Sequence, residues 1–205
     1  MPSDRFMQMQ TGVTTLRRFM LPSKFSSTGT YPERVHQRTA AFRLLVHAEF
    51  ESYLEDVVTA HLQARLRDWQ INRKPSSTIA SIIAYDETAG KKPTSLLAPP
   101  QKPAAQFDDR LRDAANRFNS RVRVLNHGIR EKNVLALLLP VGFDSLRIDT
   151  VWLADLDAWA DERGVLAHQS PGKLKTRLDP AREYSRVKRL MAGFRALDGE
   201  ILRIP

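Results

Sequence analysis

Between Pro32 and Pro75 the apolar residues Val35, Phe42, Leu45, Val46, Phe50, Tyr53, Leu54, Val57, Val58, Leu62, Leu66 and Trp69 recur at steps of three and four. That spacing predicts one long amphipathic helix. Pro32 is compatible with a first helical turn, and Lys74-Pro75 marks the end. Ser76 to Tyr85 predicts a short helix carrying Ile79, Ile82 and Ile83. A third helix is expected from Phe107 to about Asn126, with Leu111, Ala114, Ala115, Phe118, Val122 and Leu125 inward and a stop at His127-Gly128. A short apolar helix follows over Glu131 to Leu139. Asp149 caps another, with Trp152, Leu153, Leu156 and Trp159 as its buried face. The last helix starts at Pro180, its stripe formed by Tyr184, Val187, Leu190, Met191, Phe194, Leu197 and Ile201. No stretch alternates with a period of two over a strand's length, so the expected class is all-α: a helical bundle around two long helices, with short additional helices.

Two segments depart from this periodicity. Residues 1–30 have few regularly spaced apolar positions and close on Ser26-Ser-Thr-Gly-Thr30, which predicts a loosely ordered N-terminal arm with one short helix around Leu16 to Met20. Residues 86–105 hold Gly90, Pro93, Pro99, Pro100, Pro103 and three lysines, and are expected to form a mobile loop within a single helical domain spanning 31–205. A chain of 205 residues suffices for one sizeable core plus such an arm.

Composition narrows the function classes. The absence of cysteine excludes disulfides, thiol nucleophiles and thiolate metal sites, and agrees with a reducing compartment. The longest apolar run, Val134 to Val141, is broken by Pro140 and is far short of the roughly 20 residues of a membrane span. Met1 to Gln10 lacks the apolar segment of a signal peptide, and a cytoplasmic location is expected. Lys and Arg number 32 against 23 Asp and Glu, a net charge of +9, which makes a polyanion such as RNA a reasonable partner. There is no His-Glu-x-x-His, no carboxylate cluster at catalytic spacing and no Gly-rich phosphate loop, so neither a metal nor another cofactor is expected.

The chemistry concentrates in Arg163-Gly-Val-Leu-Ala-His168. A permanent planar cation can grip phosphate oxygens, and an imidazole with an ordinary pKa near 6.5 can take a proton from a ribose 2′-OH or return one to the leaving 5′-oxygen. On one continuous helix the two positions would lie about 140° apart. Gly164 is a good place for the chain to break or turn, which would let them converge, and a second chain could also supply half of the site.

Three further stretches accompany this motif: His47-Ala-Glu-Phe-Glu-Ser-Tyr-Leu54, Asn126-His-Gly-Ile-Arg-Glu-Lys-Asn133 leading to Leu138-Leu-Pro-Val-Gly-Phe-Asp144, and Trp152-Leu-Ala-Asp-Leu-Asp-Ala-Trp159. Together and in this order, over roughly residues 34–200, the chain resembles the HEPN superfamily, and within it the RiboL-PSP-HEPN group. The resemblance implies an α-helical bundle, a homodimer whose paired motifs form a composite site, and metal-independent endoribonuclease activity of the kind found in toxin–antitoxin and antiviral defence systems, where an antitoxin or regulatory protein is a further partner. It carries the family's arginine and histidine onto Arg163 and His168. Many active members have a polar residue directly after the arginine, where this chain has Gly164.

Other residues compete or assist. Arg121 and Arg123 precede His127 at spacings of six and four, although Asn126-His127-Gly128 also reads as the cap of the third helix, and His127 could then border the site. Glu51 and Glu55 share a face with His47 and could orient an imidazole or guanidinium, or simply form a helix edge. His36 and His61 have no evident partners. The alternative to a nuclease is a non-catalytic helical module that dimerises or binds RNA or protein, since fold alone does not dictate function.

Overall fold

The computed structural model describes residues 1–86, 107–124, 126–167 and 177–205. Among them there is no strand. The helices are α1 (Asp4–Met20), α2 (Glu33–Asn72), α3 (Ser77–Ala84), α4 (Phe107–Val124), α5 (Glu131–Leu138), α6 (Thr150–Ala167) and α7 (Pro180–Ile201), with short 3-10 turns at Leu139–Val141 and Ser145–Arg147. The expected all-α bundle is present, and none of the described helices is long and apolar enough to cross a membrane.

The 40-residue α2 is the mast of the bundle, and α1, α3, α4, α5, α6 and α7 all pack against it. It buries Phe42, Val46, Phe50, Tyr53, Leu54, Val57, Val58 and Leu62, which recur at three- and four-residue steps and so lie on one side. Leu45, assigned to that stripe from the sequence, points outward. Arg43 and His47 are buried in its place and set up the chemistry described below. Pro32 is the N-cap of α2, one residue before the first helical turn, and Arg73 ends it in the left-handed conformation (φ 52°), donating its N–H to Trp69.

The N-terminal segment contains more helix than its sequence suggested. α1 covers 17 residues and buries Phe6, Met9 and Val13 against α2 and α7. Its stripe is sparse and methionine-rich among polar neighbours, so the helix is completed by packing rather than by its own periodicity. Ser3 caps it: Oγ accepts the Phe6 N–H at 3.1 Å, and the Ser3 hydroxyl and N–H donate to the carboxylate of Asp198 on α7 at 2.5 and 2.7 Å. Asp198 is fully buried and also accepts from the Tyr53 hydroxyl at 2.9 Å. The expected mobile loop over residues 86–105 lies, apart from Asp86, outside the described residues.

Two close approaches fix the far side of the bundle. Gly142, at φ +86°, ends the Leu139–Val141 turn where a Cβ would sit 2.9 Å from the Ser77 backbone, so this corner requires glycine. Gly193 on α7 leaves its backbone bare for the Trp152 ring, whose indole N–H donates to the Leu190 carbonyl at 3.0 Å.

Candidate functional site

α6 begins as its sequence demands, with the Asp149 carboxylate accepting the N–H groups of Val151 (2.9 Å) and Trp152 (3.1 Å). One face buries Trp152, Leu153, Leu156, Trp159 and Ala160. The helix also carries Asp155, Asp157, Asp161 and Glu162, and each is already engaged by an arginine from elsewhere. Asp155 meets Arg186 at 2.9 Å and Arg189 at 3.5 Å, Asp157 meets Arg130 at 3.0 Å, Asp161 also meets Arg130, and Glu162 bridges Arg43 (2.7 Å) and Arg186 (2.8 Å). Arg163 is left out of this pairing. Its Nε is buried and makes no hydrogen bond. A guanidinium held without a carboxylate, on a helix whose carboxylates are all taken, keeps the donors of its terminal nitrogens for an anion from outside, the buried Nε being out of reach of one.

Beneath Arg163 lies His47 of α2, only 2 % exposed and stacked on Trp159 at 6.0 Å with the planes 21° apart. Burial, and then the positive charge of Arg163, lower its pKa from 6.5 to about 4. It is therefore neutral at physiological pH. The carboxylate of Glu51, one turn on, stands 3.7 Å from Nδ1, too far for a hydrogen bond, and that nitrogen has no partner. Glu51 instead accepts the N–H of Gly128, which turns at φ +112° directly over the imidazole. Glu55 accepts from the Asn126 carboxamide at 3.2 Å; burial and the nearby charge of Glu51 hold its pKa above the ordinary carboxylate value, against the opposing pull of that hydrogen bond.

Deeper still, Arg43 is 4 % exposed and paired with the equally buried Glu183 of α7, which also accepts the Trp159 indole N–H at 2.8 Å. Burial opposes the Arg43 charge, but the hydrogen bonds and charges of Glu183 and Glu162 outweigh it and raise its pKa. The pair fixes Trp159, and Trp159 carries both His47 and, four residues on, Arg163.

The residues singled out in the sequence fall as follows. Arg163, Glu51 and Asn126 stand along one side of α2 where the end of α6 and the α4–α5 junction meet it. His127 is exposed beside Asn126, and Asn126 donates its N–H to the Arg121 carbonyl at 3.0 Å, closing α4 in the manner expected of a cap. The expected break at Gly164 is absent: α6 continues through it to Ala167, because a single glycine costs a helix only about 1 kcal/mol. His168 lies outside the described residues. His36 donates to the Leu178 carbonyl (2.9 Å) and His61 to the Thr78 hydroxyl (2.9 Å), which itself donates to the Val141 carbonyl, so both have structural partners that the sequence did not reveal. Arg43 was missed as a site builder, and His47 was read only as an imidazole that Glu51 and Glu55 could orient, not as a buried neutral group under Arg163. Their signal was two polar residues, four apart, inside an apolar stripe. Among the described residues no group of three His, Asp or Glu side chains is placed to hold a metal ion.

The histidine environment has a measurable consequence. His47 binds a proton readily when unfolded and poorly when folded, so its contribution to stability is complete above about pH 6.5 and is lost as the pH falls toward 4. Urea midpoints should fall between pH 7 and pH 5 by an amount reduced in His47→Gln; a pH-independent midpoint over that range would contradict the buried neutral imidazole.

No family model matches this chain, and no curated protein or solved structure matches it either.

Proposed function

We propose that the chain is a metal-independent RNA endonuclease of the HEPN type, in which Arg163 holds the scissile phosphate and His168 moves the proton of the attacking 2′-OH. The observation that supports this most is Arg163 itself, a cation on an acid-rich helix whose carboxylates are all paired with other arginines while its own Nε has no partner. The neutral His47 beneath it adds no competing charge. The net charge of +9 favours a polyanionic substrate. In the reaction the 2′-oxygen attacks the adjacent phosphorus, the bond to the 5′-oxygen breaks, and the products are a 2′,3′-cyclic phosphate and a 5′-hydroxyl. A toxin or defence role, with an antitoxin or regulatory protein as partner, belongs to the same proposal.

Because α6 stays helical through Gly164 to Ala167, a homodimer that pools two motifs into one cleft is the arrangement proposed. Sedimentation at micromolar concentration should give a dimer; a fully active monomer would refute the composite site. RNA binding should weaken steeply between low and physiological salt as neutralised phosphates release their counterions, and a flat response would point to a protein partner instead. The defining test is incubation of the purified protein with mixed RNA in EDTA, followed by analysis of the product ends.

A further inference from the structure

Between α3, α4 and α5 the bundle leaves a cavity of about 360 Å³, within the roughly 300–1,000 Å³ usual for small-ligand sites. Its floor is apolar, built from Ile82, Phe118, Val122 and Leu137, and one wall carries the carboxamides of Asn126 and Asn133. The two amides are not equivalent. Asn126 gives its amino group to Glu55 and its oxygen accepts from Asn133 at 3.3 Å, whereas Asn133 keeps its own carbonyl oxygen and a second N–H unclaimed by any described residue. A carboxamide so placed presents one donor and one acceptor in a plane. Arg121 stands at the rim, and Asp86 there is neutralised by Arg117, whose Nε and terminal nitrogen reach its two oxygens at 3.0 and 2.5 Å.

An apolar lining beside a one-donor, one-acceptor edge matches the base of an unstacked nucleotide. We propose that this cavity holds the base of an adenine nucleotide, its N7 and amino group paired with Asn133. Adenine is favoured over guanine because the apolar floor offers nothing to guanine's additional polar groups, and over pyrimidines because the larger ring covers more of that floor. Asn133 donates to Asn126 and Asn126 to Glu55, and from Glu55 through Glu51 to His47, beside Arg163, α2 rises about 12 Å. An adenine in the cavity would thus set which phosphate of a single strand reaches Arg163. The proposal rests on reading the chain as an RNA-cleaving protein, but its test does not require cleavage.

The test is an NMR titration of the whole chain with 5′-AMP, 5′-GMP and 5′-UMP. AMP should saturate, shift the Asn133 side-chain amide and the Phe118 ring, and bind more tightly than the other two. Ala136 lines the cavity yet is exposed, so Ala136→Trp fills the space from outside and should weaken AMP at least about tenfold, or 1.4 kcal/mol. Asn133→Leu should abolish the preference for AMP over UMP and serves if Ala136→Trp fails to fold. Absence of saturable binding, equal affinity for all three nucleotides, or AMP affinity unchanged in both variants would overturn the proposal. Arg163→Ala should leave AMP binding intact. RNA cleavage without AMP binding would refute the base pocket alone, and AMP binding without cleavage would refute the nuclease alone.

Discussion

Replacing Arg163 or His168 by alanine is expected to slow RNA cleavage at least about a hundredfold, the lower range for loss of an electrostatic donor or a general acid–base group. Folding should survive in both variants. Arg163 makes no hydrogen bond through its buried Nε and serves no carboxylate of α6, so its loss leaves no buried charge behind. Arg163→Lys keeps the charge but not the planar fork, and should recover only part of the rate. Cleavage should persist in EDTA and stop when the scissile nucleotide is 2′-deoxy, which lacks the nucleophile. Equal cutting of the deoxy substrate, or full activity of His168→Ala, would remove the assigned mechanism and turn attention to His127 or to a role in binding alone.

The largest effect on stability is expected at Glu183. Glu183→Ala removes the buried partner of Arg43 and leaves the Trp159 indole N–H without an acceptor, at a cost of about 3 kcal/mol or more. Arg43 would retain only Glu162, whose side chain is 49 % exposed and whose own removal should cost less than about 1 kcal/mol. Urea unfolding with an unchanged m-value would measure both. Substituting the pair together, Arg43→Met with Glu183→Leu, should restore the part of the loss that comes from the uncompensated charge, while the part that comes from the Trp159 indole N–H, still without an acceptor, remains. A Glu183→Ala midpoint close to that of the parent protein would show that water reaches Arg43 and that the pair is not buried in solution.

Most of the architecture could be read from the chain. The stripes of α2, α4 and α7, the cap at Asp149, and the punctuation at Pro32 and Pro180 all act locally, and local rules locate them. α1 and the inner wall of the site could not be read in this way. The apolar residues of α1 form a helix because α2 and α7 supply the other half of its packing, and Arg43 and His47 look misplaced in an apolar stripe until Glu183, Trp159 and Arg163 arrive from more than a hundred residues away. Gly164 misled because its local preference for a break is only about 1 kcal/mol, too little to stop α6, which continues through it to Ala167.

The contact between Ser3 and Asp198 closes a loop of almost the entire chain, across a sequence separation of 195. Ordering so long a loop is entropically unfavourable before it gains any contact, so this closure belongs to the final stage of folding, after α2 and α7 have met. Interactions formed after the rate-limiting barrier govern how quickly the native state is lost and have little influence on how quickly it is reached. A Ser3–Asp198 contact made that late would act as a kinetic clasp, bearing on the lifetime of the folded bundle more than on how fast it forms.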